Sequence, residues 1–166
     1  ALNLNITGSG GADTITAGSG VDRIDGRNGI DDINLQESNA TIVFDVDNAT
    51  AADADNISGF TAGITSDTLE LDVSAVAGGI VAALTAVVNN VAGAADNTII
   101  VDSAATGYAS FALAEAAVEA ANATTDDYIL IFLNTTSGNV EMYADGISTA
   151  ASSDEILLAT FDDITA

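Results

Sequence analysis

Aliphatic residues fall on a fixed beat near the start of the chain. Ile6, Ile15, Ile24, Ile33 and Ile42 are spaced nine residues apart. From Ile15 to Ile33 each is flanked by polar residues: Thr14 and Thr16, Arg23 and Asp25, Asp32 and Asn34. Polar–aliphatic–polar is the pattern of a very short strand with one side chain inward and its neighbours outward. Such a strand cannot bury its face alone, so successive units must stack into a solenoid. The beat predicts strands at Leu4–Thr7 and around each later Ile, with a degenerate turn at Leu35–Ala40.

Beyond Ile42 the period fades. The stretch to Ser74 alternates apolar residues with Asp and Asn and reads as short strands joined by acidic loops. Ala75–Ala92 is rich in Ala and Val and predicts a helix, although Gly78–Gly79 weakens it. Thr98–Asp102 reads as a strand. Ser110 is placed to cap a helix to Ala121, with Phe111, Ala114, Ala117, Val118 and Ala121 on one side and Glu115 and Glu119 exposed. Tyr128–Asn134 predicts a buried strand, TTSGN a turn, Val140–Asp145 the returning arm of a hairpin, and Glu155–Phe161 a last strand. The chain is therefore expected to be mainly β, with residues 1–72 forming the repeat unit and residues 73–166 a small α+β domain. Phe111, Tyr128, Phe132 and Tyr143 are expected in its core.

The six residues before each short strand explain the beat. Residues 8–34 read as G-G-x-G-x-D-x-U-x written three times, U being aliphatic. Gly11, Gly20 and Gly29 share one column, and Asp13, Asp22 and Asp31 another. Gly supplies backbone angles that other residues avoid, so these six residues form a repeating turn.

Charge changes the picture next. The chain carries 25 acidic residues against two Arg, with no Lys, His or Cys, for a net charge of −23. No basic patch can be assembled, which excludes binding to nucleic-acid phosphates, and anionic membrane surfaces would repel the chain. Self-repulsion of this size opposes compaction unless cations intervene. The uncharged run 73–95 contains Gly and Asn and is too weakly hydrophobic to span a membrane, so burial is expected instead. Residues 1–7 lack the basic start and apolar stretch of a cleavable leader.

The three units resemble the RTX nonapeptide of proteins exported by bacterial type I secretion systems. That resemblance implies a parallel β-roll in which two nonapeptides make one turn and calcium ions sit between stacked turns along each edge. It implies ligands from one turn's second and fourth carbonyls with its Asp, and from the next turn's first and third carbonyls with its Asp. Carried onto this chain, Ser9, Gly11 and Asp13 join Gly26, Asn28 and Asp31 in the best site. On the opposite edge Gly18, Gly20 and Asp22 meet Leu35, Glu37 and Ala40, where Ala stands in place of Asp and Glu37 is placed to compensate. Gly29, Asp45, Asp47, Asp55 and Asp67 complete the candidate ligand set. The likeness extends loosely through "DNISGFTAGITSDTLELD", similar to the D-x-I-x-x-F segment that often follows such arrays.

The chemistry agrees with that implication. Calcium takes six to eight oxygens in flexible geometry, which carboxylates and carbonyls supply. Without His or Cys the usual zinc and copper ligands are missing, and so are Ser-His-Asp and Cys-His nucleophile arrangements. The loop at Gly8–Asp13 has Asp where a dinucleotide loop needs its third Gly. With no Trp and eight aromatics, a sugar-stacking cleft for a carboxylate pair is hard to build. Thr14-Ile15-Thr16 is a single rung of an ice-binding ladder, and the next rungs break it. The expectation is therefore a non-enzymatic, extracellular, calcium-binding structural protein whose folding and self-assembly depend on calcium. Its partners are other copies or cell-surface components. The alternative is the calcium-binding folding and secretion module of a larger secreted enzyme or adhesin.

Overall fold

A computed structural model describes residues 2–36, 39–45, 53–61, 67–72, 86–88, 98–102, 106–121, 128–145 and 155–162. The chain is mainly β and divides into two compact units, Ala1–Asp72 with Leu158–Ala166, and Val73–Leu157. The segment from Leu158 onward, read from sequence with the C-terminal domain, thus groups with the first unit.

The first unit holds β1 (Asn5–Thr7), β2 (Thr14–Thr16), β3 (Arg23–Asp25), β4 (Asp32–Asn34), β5 (Thr41–Asp45), β6 (Asp55–Ser58) and β7 (Thr68–Asp72). Successive strands alternate between two parallel sheets: β1-β3-β5-β7 form one, and β2-β4-β6 belong to the other. There Ala159–Asp162 of the last strand runs parallel to β6. The register follows the beat. Ile6 pairs with Ile24 and Ile15 with Ile33, each 18 residues on. The step then lengthens to 24 residues between β4 and β6 and to 27 between β5 and β7.

One residue of each short strand points inward, as the alternation requires. Ile24, Ile33, Ile42 and Ile57 are fully buried, while Thr14, Thr16, Asp32 and Asn34 are exposed. Phe161 continues the Ile15–Ile33–Ile57 column and meets the ring of Phe60 edge-on at 5.2 Å. On the outer face of the β1-β3-β5-β7 sheet, Arg23 reaches across β5 to Glu70, Nη2 to Oε1 at 2.9 Å. Both side chains are solvated, so water and salt screen the pair and it adds little to stability.

The second unit contains β8 (Ala86–Val88), β9 (Thr98–Val101), α1 (Phe111–Ala121), β10 (Tyr128–Leu133) and β11 (Val140–Asp145). β8, β9 and β10 are parallel, and β10 returns antiparallel into β11. The Ser110 carbonyl accepts the first helical N–H groups, from Leu113 and Ala114. Phe111, Ala114 and Val118 form the buried face of α1 and pack with Ile100, Tyr128, Leu130 and Phe132, while Tyr143 lies against the cluster. Ala121, expected on that face, is exposed, and Glu115 is half-buried. The expected helix over Ala75–Ala92 is wrong at 86–88: Ala86–Val88 is a strand paired with Thr98–Ile100, because paired β-branched Val residues favour a ladder over a helix. The remainder of 75–92 lies outside the described residues. No helix among the described residues is long and apolar enough to cross a membrane.

The hairpin carries a buried acid whose needs are met by neutral donors. Asn134 Nδ2 donates to both Glu141 oxygens at 2.9 Å, Ser137 Oγ to Oε1 and Tyr143 Oη to Oε2, each at 3.2 Å. Asn134 Oδ1 accepts from Thr136 N and Ser137 N, closing the turn. Burial first, and the Glu141 carboxylate second, push the Tyr143 hydroxyl up to about 12.

The inward column sets the first test. Ile33→Ala should lower the unfolding free energy by about 2–5 kcal/mol, whereas exposed Thr14→Ala should stay within about 0.5 kcal/mol of wild type. Denaturant titrations under one fixed buffer measure both.

Candidate metal centre

Residues 4, 13, 22, 31 and 40 occupy the sixth position of successive turns, just before the outward-inward-outward strand. Asp22 and Asp31 each reach back one full turn to cap a backbone N–H, while Asp13, in the first full turn, accepts from Ser9 of its own turn. Asp31 Oδ1 accepts from Asp13 N at 2.8 Å and Asp22 Oδ1 from Leu4 N at 2.9 Å. The ladder continues across the longer steps, with Asp55 Oδ1 on Asp31 N at 3.0 Å and Asp67 Oδ1 on Ala40 N at 2.7 Å. One edge thus carries Asp13, Asp31 and Asp55, and the other Asp22 and Asp67.

The glycine columns let these turns stack closely. A Cβ on Gly29 would strike Gly11 and Ala12 backbone atoms 2.7–2.9 Å away, and Gly29 also has φ +113°. A Cβ on Gly20 would run into the Leu2 carbonyl, and one on Gly26 into Asp31 Oδ2. Gly10, and Gly11 in the first turn of its column, have open space.

The first expected site is brought together. Asp13 Oδ2 accepts from Ser9 N at 2.6 Å and from Ser9 Oγ at 2.9 Å. The Gly26 carbonyl and Asp13 Oδ2 both crowd the space beside Gly8, and Gly11 stacks on Gly29. Asn28 is exposed at the rim of its turn. The opposite edge shows the same backward bond. Asp22 turns its Oδ1 toward Leu4, in the turn before it, rather than toward 35–40. The later turn is joined to Gly20 and Asp22 through their carbonyls, by Asn39 N at 3.1 Å and Thr41 N at 2.7 Å. Gly18 is exposed and Leu35 buried. Asp67 supplies the acid that Ala40 lacks, and its Oδ2 accepts from Thr61 N at 2.9 Å. Glu37 and Asp47 lie outside the described residues, as does the side chain of Asp45.

Sequence reasoning missed two contributors. Asp53 Oδ1 accepts from Gly29 N at 2.9 Å, and Asn3 Oδ1 from Val21 N at 3.1 Å. Asp53 stands two residues before Asp55, where the repeat would place Gly, and that offset was the available signal.

The electrostatics single out the buried acids. Asp22 is 1% exposed and Asp31 0%, yet Oδ2 of each has no hydrogen-bond donor. A buried carboxylate with an unmatched oxygen is costly unless a positive charge meets it. Burial, reinforced by Asp13, Asp32 and Asp53, pushes the Asp31 carboxyl up, against the Asp13 N–H that favours ionisation. Burial, then Asp31, Asp53 and Asp25, push Asp55 up to about 7. Among the described residues no three acid side chains surround a single point. The stacked turns instead offer pairs of carboxylates with nearby carbonyls, an oxygen set suited to calcium.

The outer face of the β2-β4-β6 sheet is different in kind. A shallow groove of about 250 Å³ runs over Thr14, Thr16, Asp32, Asn34, Asn56 and Ser58, and Asn56 Nδ2 donates to Asp32 Oδ1 at 3.0 Å.

Two outcomes follow. Gly29→Ala should destabilise the first unit by about 1–3 kcal/mol, since it combines a left-handed φ with a backbone clash, while Gly10→Ala should be nearly neutral by thermal melting. In metal-free protein the Asp55 contribution favours the fold below the unfolded value near 3.8 and is lost as pH rises through about 7. The loss amounts to roughly 4 kcal/mol. Melting temperature in chelator should fall across that window, and Asp55→Asn should flatten the fall. Set beside known proteins, the chain finds no counterpart: no family model, no curated protein and no solved structure matches it.

Proposed function

We propose that this chain is an extracellular calcium-binding structural module. In this reading its first unit is a parallel β-roll of the RTX kind, the second a small α+β domain, and calcium controls both folding and self-assembly. The observation that carries it is the pair of buried carboxylates, Asp22 and Asp31, each with an oxygen that no donor meets. These lie in a chain of net charge −23 with two Arg, one of them bonded to Glu70. The buried Glu141 sharpens the point, because neutral donors surround both its oxygens while the turn acids depend on something else.

The mechanism follows from linkage. Where calcium is scarce, like charges along both edges hold the turns apart and the chain stays open for export. Outside the cell each ion neutralises carboxylates on two stacked turns and joins them. A site of about 10⁻⁴ M in roughly millimolar calcium adds about 1.4 kcal/mol. A few such sites decide whether a marginal stack of turns folds. Repulsion between copies falls with the same ions, so head-to-tail contacts that do not close give filaments or lattices.

Circular dichroism in chelator and then in millimolar calcium tests folding. Strand signal and melting temperature should rise, with magnesium at equal concentration doing much less. An unchanged spectrum and melting temperature overturns the reading. Sedimentation across the same titration tests assembly, which should begin only at or above the calcium level that folds the chain. A folded, calcium-loaded protein that stays monomeric at high concentration rejects the assembly part.

A further inference from the structure

Asn28 and Gly29 form the one Asn–Gly pair in the sequence, in the middle of the turn Gly26–Asp31. Such a pair carries its own chemistry. The backbone nitrogen of the residue after an Asn can attack the Asn side-chain amide. A bond forms from that nitrogen to Cγ, the Cγ–Nδ2 bond breaks, and the displaced N–H proton leaves with Nδ2 as ammonia. Water then opens the resulting five-membered imide at either carbonyl. One product is Asp; the other is isoAsp, whose main chain runs through the side-chain carbon. In sum, Asn and water give a carboxylic acid and ammonia, and no other reactant is needed. Gly is the most permissive neighbour, because no Cβ shields the attacking nitrogen.

The fold presents one half of this pair and withholds the other. Asn28 is exposed, so its amide carbon is open to reaction. The Gly29 N–H, by contrast, donates to Asp53 Oδ1 at 2.9 Å. Gly29 also has φ +113° and packs so closely on the Gly11 and Ala12 backbone that no Cβ would fit. The far end of the turn is tied down as well, by Asp31 Oδ1 on Asp13 N and by Asp31 N on Asp55 Oδ1. Freeing the nitrogen means breaking the Asp53 contact, and bringing it onto Cγ of Asn28 means unstacking Gly29 from Gly11.

We propose that Asn28 is a self-modification site held shut by the folded turn, with Asp53 as its latch. Reaction proceeds from a locally opened state, so its rate reports how often residues 26–31 part from Asp53. Conversion is one-way. The isoAsp product lengthens the main chain by one carbon where Gly29 has no room against Gly11 and Ala12, which bars that turn from restacking. Either product adds a carboxyl group to an edge that already carries Asp13, Asp31 and Asp55. A chain that lingers open is marked, and one that closes promptly is preserved. The site needs no ion and stands apart from the calcium reading.

The test ages the full chain at one pH and temperature, in a buffer where circular dichroism shows it folded and in concentrated urea. Peptide mapping by mass spectrometry follows the replacement of the Asn28 amide NH2 by OH, and chromatography separates isoAsp from Asp. Conversion should be slower by about tenfold or more in the folded chain, the mark of reaction through local opening. Asp53→Ala, folded by circular dichroism, should raise the folded rate about tenfold, as expected for loss of one charge-assisted hydrogen bond. Asp53→Asn keeps an acceptor and should stay near the wild-type rate. Asp67→Ala, which removes a cap on the opposite edge, should leave the rate unchanged. Should Asp53→Ala not fold, deuterium exchange at the wild-type Gly29 amide decides, and it should be slower than in urea by about tenfold or more. Equal conversion in buffer and urea, or an unprotected Gly29 amide, overturns the proposal. A wild-type rate in folded Asp53→Ala, or an equal rise in Asp67→Ala, overturns Asp53 as the latch.

Discussion

A single hydrogen bond repeated along the chain organises the first unit: an Asp carboxylate accepts the backbone N–H of the residue one turn earlier. Asp31 does this for Asp13, Asp22 for Leu4, Asp55 for Asp31 and Asp67 for Ala40. Backbone N–H groups in a tight turn have no ladder partner of their own, and a buried one left unmatched is costly. Asp reaches them because its side chain is short and accepts through either oxygen. The same bond places a formal charge between stacked turns, where water is scarce. Register and glycine spacing both follow that bond.

Two kinds of buried acid occur in the molecule, and their surroundings separate them. Glu141 sits among an amide, a hydroxyl and a phenol that each offer a proton, so its charge is spread over a closed network. Asp22 and Asp31 spend one oxygen on the backbone and keep the other inward without a donor. The first arrangement is complete within the chain, while the second leaves one oxygen of each carboxylate without a donor. Of the two Arg residues, Arg23 is engaged with Glu70 on the sheet surface.

Much of the first unit was legible because its signal is periodic. One inward Ile every nine residues fixed the strand columns, and the pairs Ile6–Ile24 and Ile15–Ile33 follow from that spacing alone. The longer steps to Ile57 and Leu69 were not readable, since nothing in the acidic sequence between the strands marks where the next one resumes. That Asp22 reaches back to the Leu4 N–H was not readable either, since sequence order shows neighbouring turns on both sides and side-chain reach selects one. Asp53 was overlooked because it acts through position, not motif. In the second unit, the helix at Phe111–Ala121 was clear from its cap and its apolar face, but Ala86–Val88 was lost in a composition that suits helix and strand equally. Pairing with β9 decided the matter, and pairing is not local information.

The unequal register steps carry a consequence of their own. From β4 to β6 the chain spends 24 residues, and from β5 to β7 it spends 27, where the earlier steps take 18. The detours amount to 24 − 18 = 6 and 27 − 18 = 9 extra residues, yet Ile33 still meets Ile57 and Ile42 still meets Leu69. Strand columns and detour length are thus separate variables, as the slow growth of closure entropy with loop length allows. Evolution, or a protein engineer, can graft peptides of varied length onto the edges of such a stack and display them at regular intervals without disturbing the column beneath.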